Sequence, residues 1–151
     1  MKEFKNTNDI LDFAIENEQN AVDFYTRLAK VAQTEDMRST FEQFAREEIG
    51  HKKRLTDIKE SGIFTLSGEK VADLKIADYV VQSQQGTDMS YEQALVLAMK
   101  REKAAFKLYM KLSESAPNQS LKELFLNLAQ EESRHKLRFE LEYDEHVLRE
   151  N

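Results

Sequence analysis

Along four stretches of this chain, core-type residues recur in alternating steps of three and four, the spacing of one helical face packed in a bundle. The first seam runs Leu11, Ala14, Glu18, Ala21, Tyr25, Leu28 and Ala32, and the second Met37, Phe41, Phe44, Glu48, His51, Leu55 and Ile58. The third runs Leu95, Ala98, Glu102, Ala105, Tyr109 and Leu112, and the fourth Leu121, Phe125, Leu128, Glu132, His135, Phe139 and Glu142. Four long helices are therefore expected. Each seam is interrupted near its middle by glutamate or by glutamate and histidine, at positions that a bundle would bury.

Short punctuation separates the helices in pairs. Asn6, Thr7 and Asn8 offer N-caps for the first, and Gln33 to Asp36 make a turn into the second. Pro117 and Asn118 mark the equivalent turn between the third and fourth. Each pair is thus a helical hairpin with an apolar face it cannot bury alone, so the two hairpins must pack together. Residues 60–90 join them. That segment is too long for a tight turn and long enough to cross the roughly 37 Å of a 25-residue helix. Within it Val71, Leu74, Ile76, Tyr79 and Val80 predict a short amphipathic helix lying over the bundle, bounded by Gly68 and Gly86. The expected fold is all-α: a four-helix bundle of two hairpins joined by a long crossover with a short extra helix, residues 1–151 forming one domain.

The polar residues on the seams form a repeat. Glu18, Glu48 and His51 are matched 84 positions later by Glu102, Glu132 and His135, and Tyr25 by Tyr109, within an internal repeat of 14–55 and 98–139. Composition alone would produce the doubled Glu and Glu-x-x-His spacing roughly once in a thousand chains. Residues i and i+3 share a helix face, so each Glu-x-x-His aims a carboxylate and an imidazole at one point. Two such pairs plus two further glutamates are the six-ligand pattern of a two-metal site in a ferritin-like bundle. An array of ion pairs without metal would leave two carboxylates too many, and burying them uncompensated is costly.

Carboxylate and imidazole ligands suit iron and manganese. The expected cofactor is two iron ions cycling between Fe2+ and Fe3+, with manganese or a mixed Fe/Mn pair as alternatives and zinc after them. Tyr25 and Tyr109, two turns beyond Glu18 and Glu102, are placed to orient a carboxylate on a neighbouring helix or to fill the core. His146 and Glu142 continue the fourth seam, as an end-of-bundle pair or a further metal site. Glu47 and Glu131 fall one step off the seam, as surface groups or partners of the ligands. Gly50 stands between two ligands, for close helix approach, a bulge, or no structural purpose.

Composition narrows the field further. A net charge of −6 argues against a nucleic-acid partner. No cysteine is present, which excludes disulfides and thiol chemistry. The amino terminus lacks the apolar core of a secretory signal and no stretch reaches the length of a membrane span, so a cytoplasmic location is expected.

The stretches Glu-Asn-Glu-Gln-Asn-Ala-Val-Asp-Phe-Tyr (16–25), Glu-Glu-Ile-Gly-His (47–51), Arg-Glu-Lys-Ala-Ala-Phe-Lys-Leu-Tyr (101–109) and Glu-Glu-Ser-Arg-His (131–135) resemble the rubrerythrin-like branch of the ferritin-like superfamily. The resemblance implies Glu18, Glu48, His51, Glu102, Glu132 and His135 as ligands of a two-metal site, with Glu48 and Glu132 bridging. It departs from the family in two places. Full-length rubrerythrins carry a four-cysteine iron site, and without cysteines this chain needs a separate electron-donor protein. Rubrerythrins also tend to place an extra glutamate where this chain has Ala105.

Three functions follow as expectations. The first is an oxidoreductase reducing hydrogen peroxide or dioxygen at a di-iron site. The second is a ferroxidase or iron-handling protein, and the third a metal-stabilised helical module that binds another protein without turnover. By analogy with relatives, a homodimer is expected.

Overall fold

The computed structural model describes residues 3–81 and 89–150 and is helical throughout its regular structure. Four long helices are present: α1 (Thr7–Val31), α2 (Glu35–Ser61), α4 (Tyr91–Ser115) and α5 (Gln119–Glu150), with the short α3 (Gly68–Asp73) in the crossover. Their ends are set by local chemistry. Asn6 caps α1 by accepting from the Asp9 backbone N–H, and Thr34 caps α2 by accepting from Met37. Ser90 and Gln93 form a reciprocal capping box at the start of α4. Gly62 stops α2 at φ 69°, a left-handed conformation that glycine adopts without a Cβ penalty.

The helices pair as α1 with α2 and α4 with α5, the two hairpins that the seams predict. Every residue of the second and fourth seams is buried, Glu142 included; on the other two, Ala32 and Ala105 are half-buried. Two apolar clusters divide the core along its length. One joins Leu11, Leu55, Leu112 and Phe125 with crossover residues Phe64, Leu66, Val71, Leu74 and Tyr79. The other joins Tyr25, Phe41, Leu95 and Phe139. Each long helix passes from one cluster to the other, so α1 and α5 run one way and α2 and α4 the other. Between the clusters each helix contributes its seam glutamate or histidine, giving a polar layer across the middle of the bundle.

The crossover leaves α2 at the first cluster and must deliver α4 to the second. It is tied to the start of α1 by the Leu66 backbone N–H, which donates to the Thr7 hydroxyl at 2.9 Å. The single amphipathic helix expected here is instead two short pieces, α3 and a 3-10 turn at Ile76–Asp78, with extended Leu74 and Lys75 between them. The break has a packing reason. A continuous helix would carry Tyr79 roughly 80° round from Val71, whereas the interrupted chain buries Val71, Leu74 and Tyr79 together. Val80, assigned to the same face from sequence, is exposed. Gly86 lies outside the described residues. No described helix is long and apolar enough to cross a membrane.

Candidate metal centre

All six predicted ligands meet in the polar layer, and all six are buried. The unbroken helical backbone of α2 and α5 puts each Glu-x-x-His on one face, so Glu48 and His51 approach from one hairpin and Glu132 and His135 from the other. Their ligand atoms form two groups of four. Glu18, Glu48, His51 and Glu132 make one; Glu48, Glu102, Glu132 and His135 make the other. Glu48 and Glu132 belong to both, the position that a bridging carboxylate would occupy.

Both imidazoles turn Nδ1 inward. His51 Nδ1 lies 2.9 Å from Glu132, 3.1 Å from Glu48 and 3.4 Å from Glu18. His135 Nδ1 lies 2.8 Å from Glu102 and 3.6 Å from Glu48. The two rings are nearly parallel, with centroids 6.4 Å apart. Close as these atoms are, both Nδ1 atoms, both Glu48 oxygens, and one oxygen each of Glu18, Glu102 and Glu132 make no aligned hydrogen bond. Buried polar atoms are nearly always hydrogen-bonded. Nine unpartnered ones in the described residues, seven of them inward-facing atoms of these six side chains, fit a site whose lone pairs are meant for cations.

Electrostatics point the same way. Burial, then the charge of Glu132, pushes Glu18 up to about 7. Burial and the neighbouring carboxylates raise Glu48 and Glu102 well above the usual range. Burial would raise Glu132 too, but the close approach of the His51 imidazole and the Glu48 carboxyl outweighs it and holds it down to about 2. Against its own burial, His51 is raised to about 10 by Glu132 and Glu18. Four buried carboxylates therefore repel one another strongly, and two divalent cations would neutralise them.

Around this layer sits a second set of contacts that sequence reasoning left undecided. Glu47 on α2 reaches across to His135 of the other hairpin, with Oε1 3.0 Å from Nε2. Glu131 on α5 reaches back to His51, 3.2 Å from Nε2 though without hydrogen-bond alignment. Each hairpin thus supplies the outer carboxylate for the other's histidine, the arrangement that fixes a metal-binding imidazole's tautomer and orientation. Arg134 donates to Glu47 at 2.7 Å, and Arg54 to Glu131 at 3.4 Å. The available sequence signal was that Glu47 and Glu131 are themselves an identical pair in the repeat.

The tyrosines differ from each other. Tyr109 donates from α4 to Glu18 on α1 at 2.6 Å, orienting that carboxylate across the hairpin interface. Tyr25 faces Glu102, whose charge adds to burial in raising its pKa, yet its hydroxyl has no aligned partner. It packs against Phe139, with ring centroids 5.3 Å apart.

Other candidates resolve more simply. Glu142 accepts from the Tyr91 hydroxyl at 2.8 Å and from Arg149 at 3.0 Å, and His146 Nδ1 lies 3.0 Å from Gln33. These groups partner one another at the far end of the bundle and join no metal-holding cluster among the described residues. A Cβ at Gly50 would meet nothing within 4 Å, and α2 continues through it as regular helix, so neither close approach nor a bulge accounts for this glycine.

No match is found among curated proteins or among solved structures. The family model described as Rubrerythrin matches residues 9–141, a span that contains all six convergent side chains and both hairpins. With its cross-braced four-helix bundle and buried carboxylate–histidine layer, the chain belongs to the rubrerythrin family.

Proposed function

We propose that this chain is a non-haem di-iron protein that reduces hydrogen peroxide or dioxygen. The observation that carries the proposal is the convergence of two overlapping four-ligand groups whose buried inward atoms lack hydrogen-bond partners. Glu18 and His51 would hold one iron and Glu102 and His135 the other, with Glu48 and Glu132 shared. Carboxylate and imidazole donors without thiolate suit iron or manganese. When bound, two ferrous ions can each give one electron to a peroxide, which with two protons becomes two waters.

The protein's own groups supply position, charge and dryness. Four carboxylates balance two divalent cations, so the filled reduced layer is near neutral, as a bundle core requires. Tyr109 holds Glu18 through its Oη–H, Glu47 fixes the outward Nε2 of His135, and Glu131 sets its charge 3.2 Å from Nε2 of His51. Apolar clusters on either side exclude bulk water. Residues 1–151 carry no cysteine iron site, and a separate electron-donor protein completes the proposed cycle.

The test is stopped-flow oxidation of the anaerobic, ferrous-loaded protein by H₂O₂ and by O₂. Two irons oxidised per peroxide is the expected result, and loss of reaction with both oxidants ends the proposal. Ferrous-iron oxidation for storage is a second reading, favoured by the near-symmetric ligand set and by Ala105 in place of an extra glutamate. A mass measurement showing only monomer or dimer would remove its closed-shell version.

A further inference from the structure

The polar layer is closed on one side and open on the other. Between α2 and α5, the outer carboxylates and their arginines cover the histidines, and Phe44 stacks on His135 with centroids 3.9 Å apart. Between α1 and α4 a cavity of about 100 Å³ reaches inward to Glu18, Glu48, Glu102 and Glu132. Its size suits a few waters or a small molecule and falls well below the roughly 300–1,000 Å³ of pockets that take drug-sized ligands.

Two alanines make this opening. Ala21 and Ala105 both line it, each one turn beyond a lone glutamate of the repeat, on α1 and α4 respectively. A methyl at each position leaves the helix interface unfilled directly beside the carboxylates. Where the crossover passes the middle of the bundle, Tyr79 and Val81 line the same cavity and narrow it from above. Arg101 also lines it, with its guanidinium carbon 4.7 Å from the Phe24 ring centroid, and Arg27 lies 5.8 Å from the same ring. Cation–π contact holds the charge of Arg101 near the opening. The equivalent residue across the cavity is neutral Asn17.

Building on the two-metal reading, we infer that this cavity is the entry and binding pocket for a small neutral or anionic oxidant, that Ala21 and Ala105 set its size limit, and that Arg101 disfavours passage of cations. A fixed positive charge in a narrow opening raises the local concentration of anions and lowers that of metal ions. Such an entry serves turnover at resident metals better than repeated transit of ferrous ions. Hydrogen peroxide and dioxygen are much smaller than the space, whereas a branched alkyl hydroperoxide is of about its whole volume and would enter slowly.

The experiment uses the full chain, loaded anaerobically with ferrous iron, as wild type and as Ala105→Leu, Ala21→Leu, Ala105→Gly and Arg101→Gln. Iron content and melting temperature establish that each variant is folded and filled. Nitric oxide binding to the reduced site, followed optically, then reads access without turnover. The leucine variants are expected to keep their iron and bind nitric oxide about ten-fold more slowly, or more, while Arg101→Gln takes up ferrous iron faster than wild type. Wild type is expected to react with hydrogen peroxide far faster than with tert-butyl hydroperoxide, and Ala105→Gly to narrow that ratio even if the leucine variants fail to fold. Filled leucine variants that bind nitric oxide at the wild-type rate, or an Ala105→Gly variant with an unchanged ratio, would overturn the entry assignment alone. A wild-type chain that binds no iron would instead overturn the two-metal reading beneath it.

Discussion

Glu47 and Glu131 show how much of the candidate metal centre lies outside the six convergent side chains. Each is one residue before a seam glutamate, yet each reaches the histidine of the opposite hairpin, so each hairpin sets a carboxylate beside the other's imidazole. Removing one carboxylate should loosen one imidazole and leave the other. Glu47→Ala is expected to weaken binding in the half-site of Glu102 and His135, and Glu131→Ala in that of Glu18 and His51. The loss should be about 10- to 100-fold in metal affinity, checked by titrating the metal-free protein with cobalt(II) and reading its two ligand-field signatures. Equal weakening of both half-sites in either variant would contradict the pairing. The convergence of the six buried side chains was legible in the sequence because the repeat places them on seams that a bundle must bury. Their outer partners were not, since a pairing between α2 and α5 depends on how the hairpins dock rather than on spacing within either one. The same limit separates Tyr109, which bonds Glu18, from Tyr25, which occupies the matching position without an aligned bond.

The long helices follow their periodicity because tertiary packing and local signals agree: each apolar seam faces the core and side-chain caps start α1, α2 and α4. The crossover departs from it because its apolar residues answer to the surface beneath. Val71, Leu74 and Tyr79 are buried in one cluster although Tyr79 also reaches the cavity at mid-bundle, and an interrupted backbone achieves this where a regular helix does not. Gly50 is the element-scale exception. It stands in a regular helix with open space around it. Gly50→Ala is therefore expected to raise stability by about 1 kcal/mol, measured by urea denaturation, with metal content unchanged. A destabilised variant, or one that loses metal, would show that the glycine serves the site.

The whole molecule is two apolar cores separated by a charged layer, and its stability should depend on what neutralises that layer. In the metal-free chain, folding takes up protons above pH 4.5, because burial raises Glu18 from 4.5 to about 7 and also raises Glu48 and Glu102 well above the usual range. His51, raised from 6.5 to about 10, takes up a proton through and above neutrality. Both shifts mean that stability is present at lower pH and lost as pH rises. Glu132, held at about 2, works in the opposite sense only below pH 4.5, and His135, lowered from 6.5 by burial, offsets part of the trend near neutrality. The melting temperature of metal-free protein should thus fall between pH 5 and pH 8. Metal replaces those protons, so loaded protein should hold or gain stability over the same range. Parallel pH curves for the two forms would mean that these carboxylates do not bind it.

The most direct measurement is metal content by mass spectrometry on protein prepared with iron present, together with its optical spectrum after exposure to air. Two irons per chain with oxo-to-iron charge-transfer absorption is the predicted result. No metal, or zinc that iron cannot displace, would contradict the di-iron centre and leave a helical module whose buried carboxylates serve structure alone.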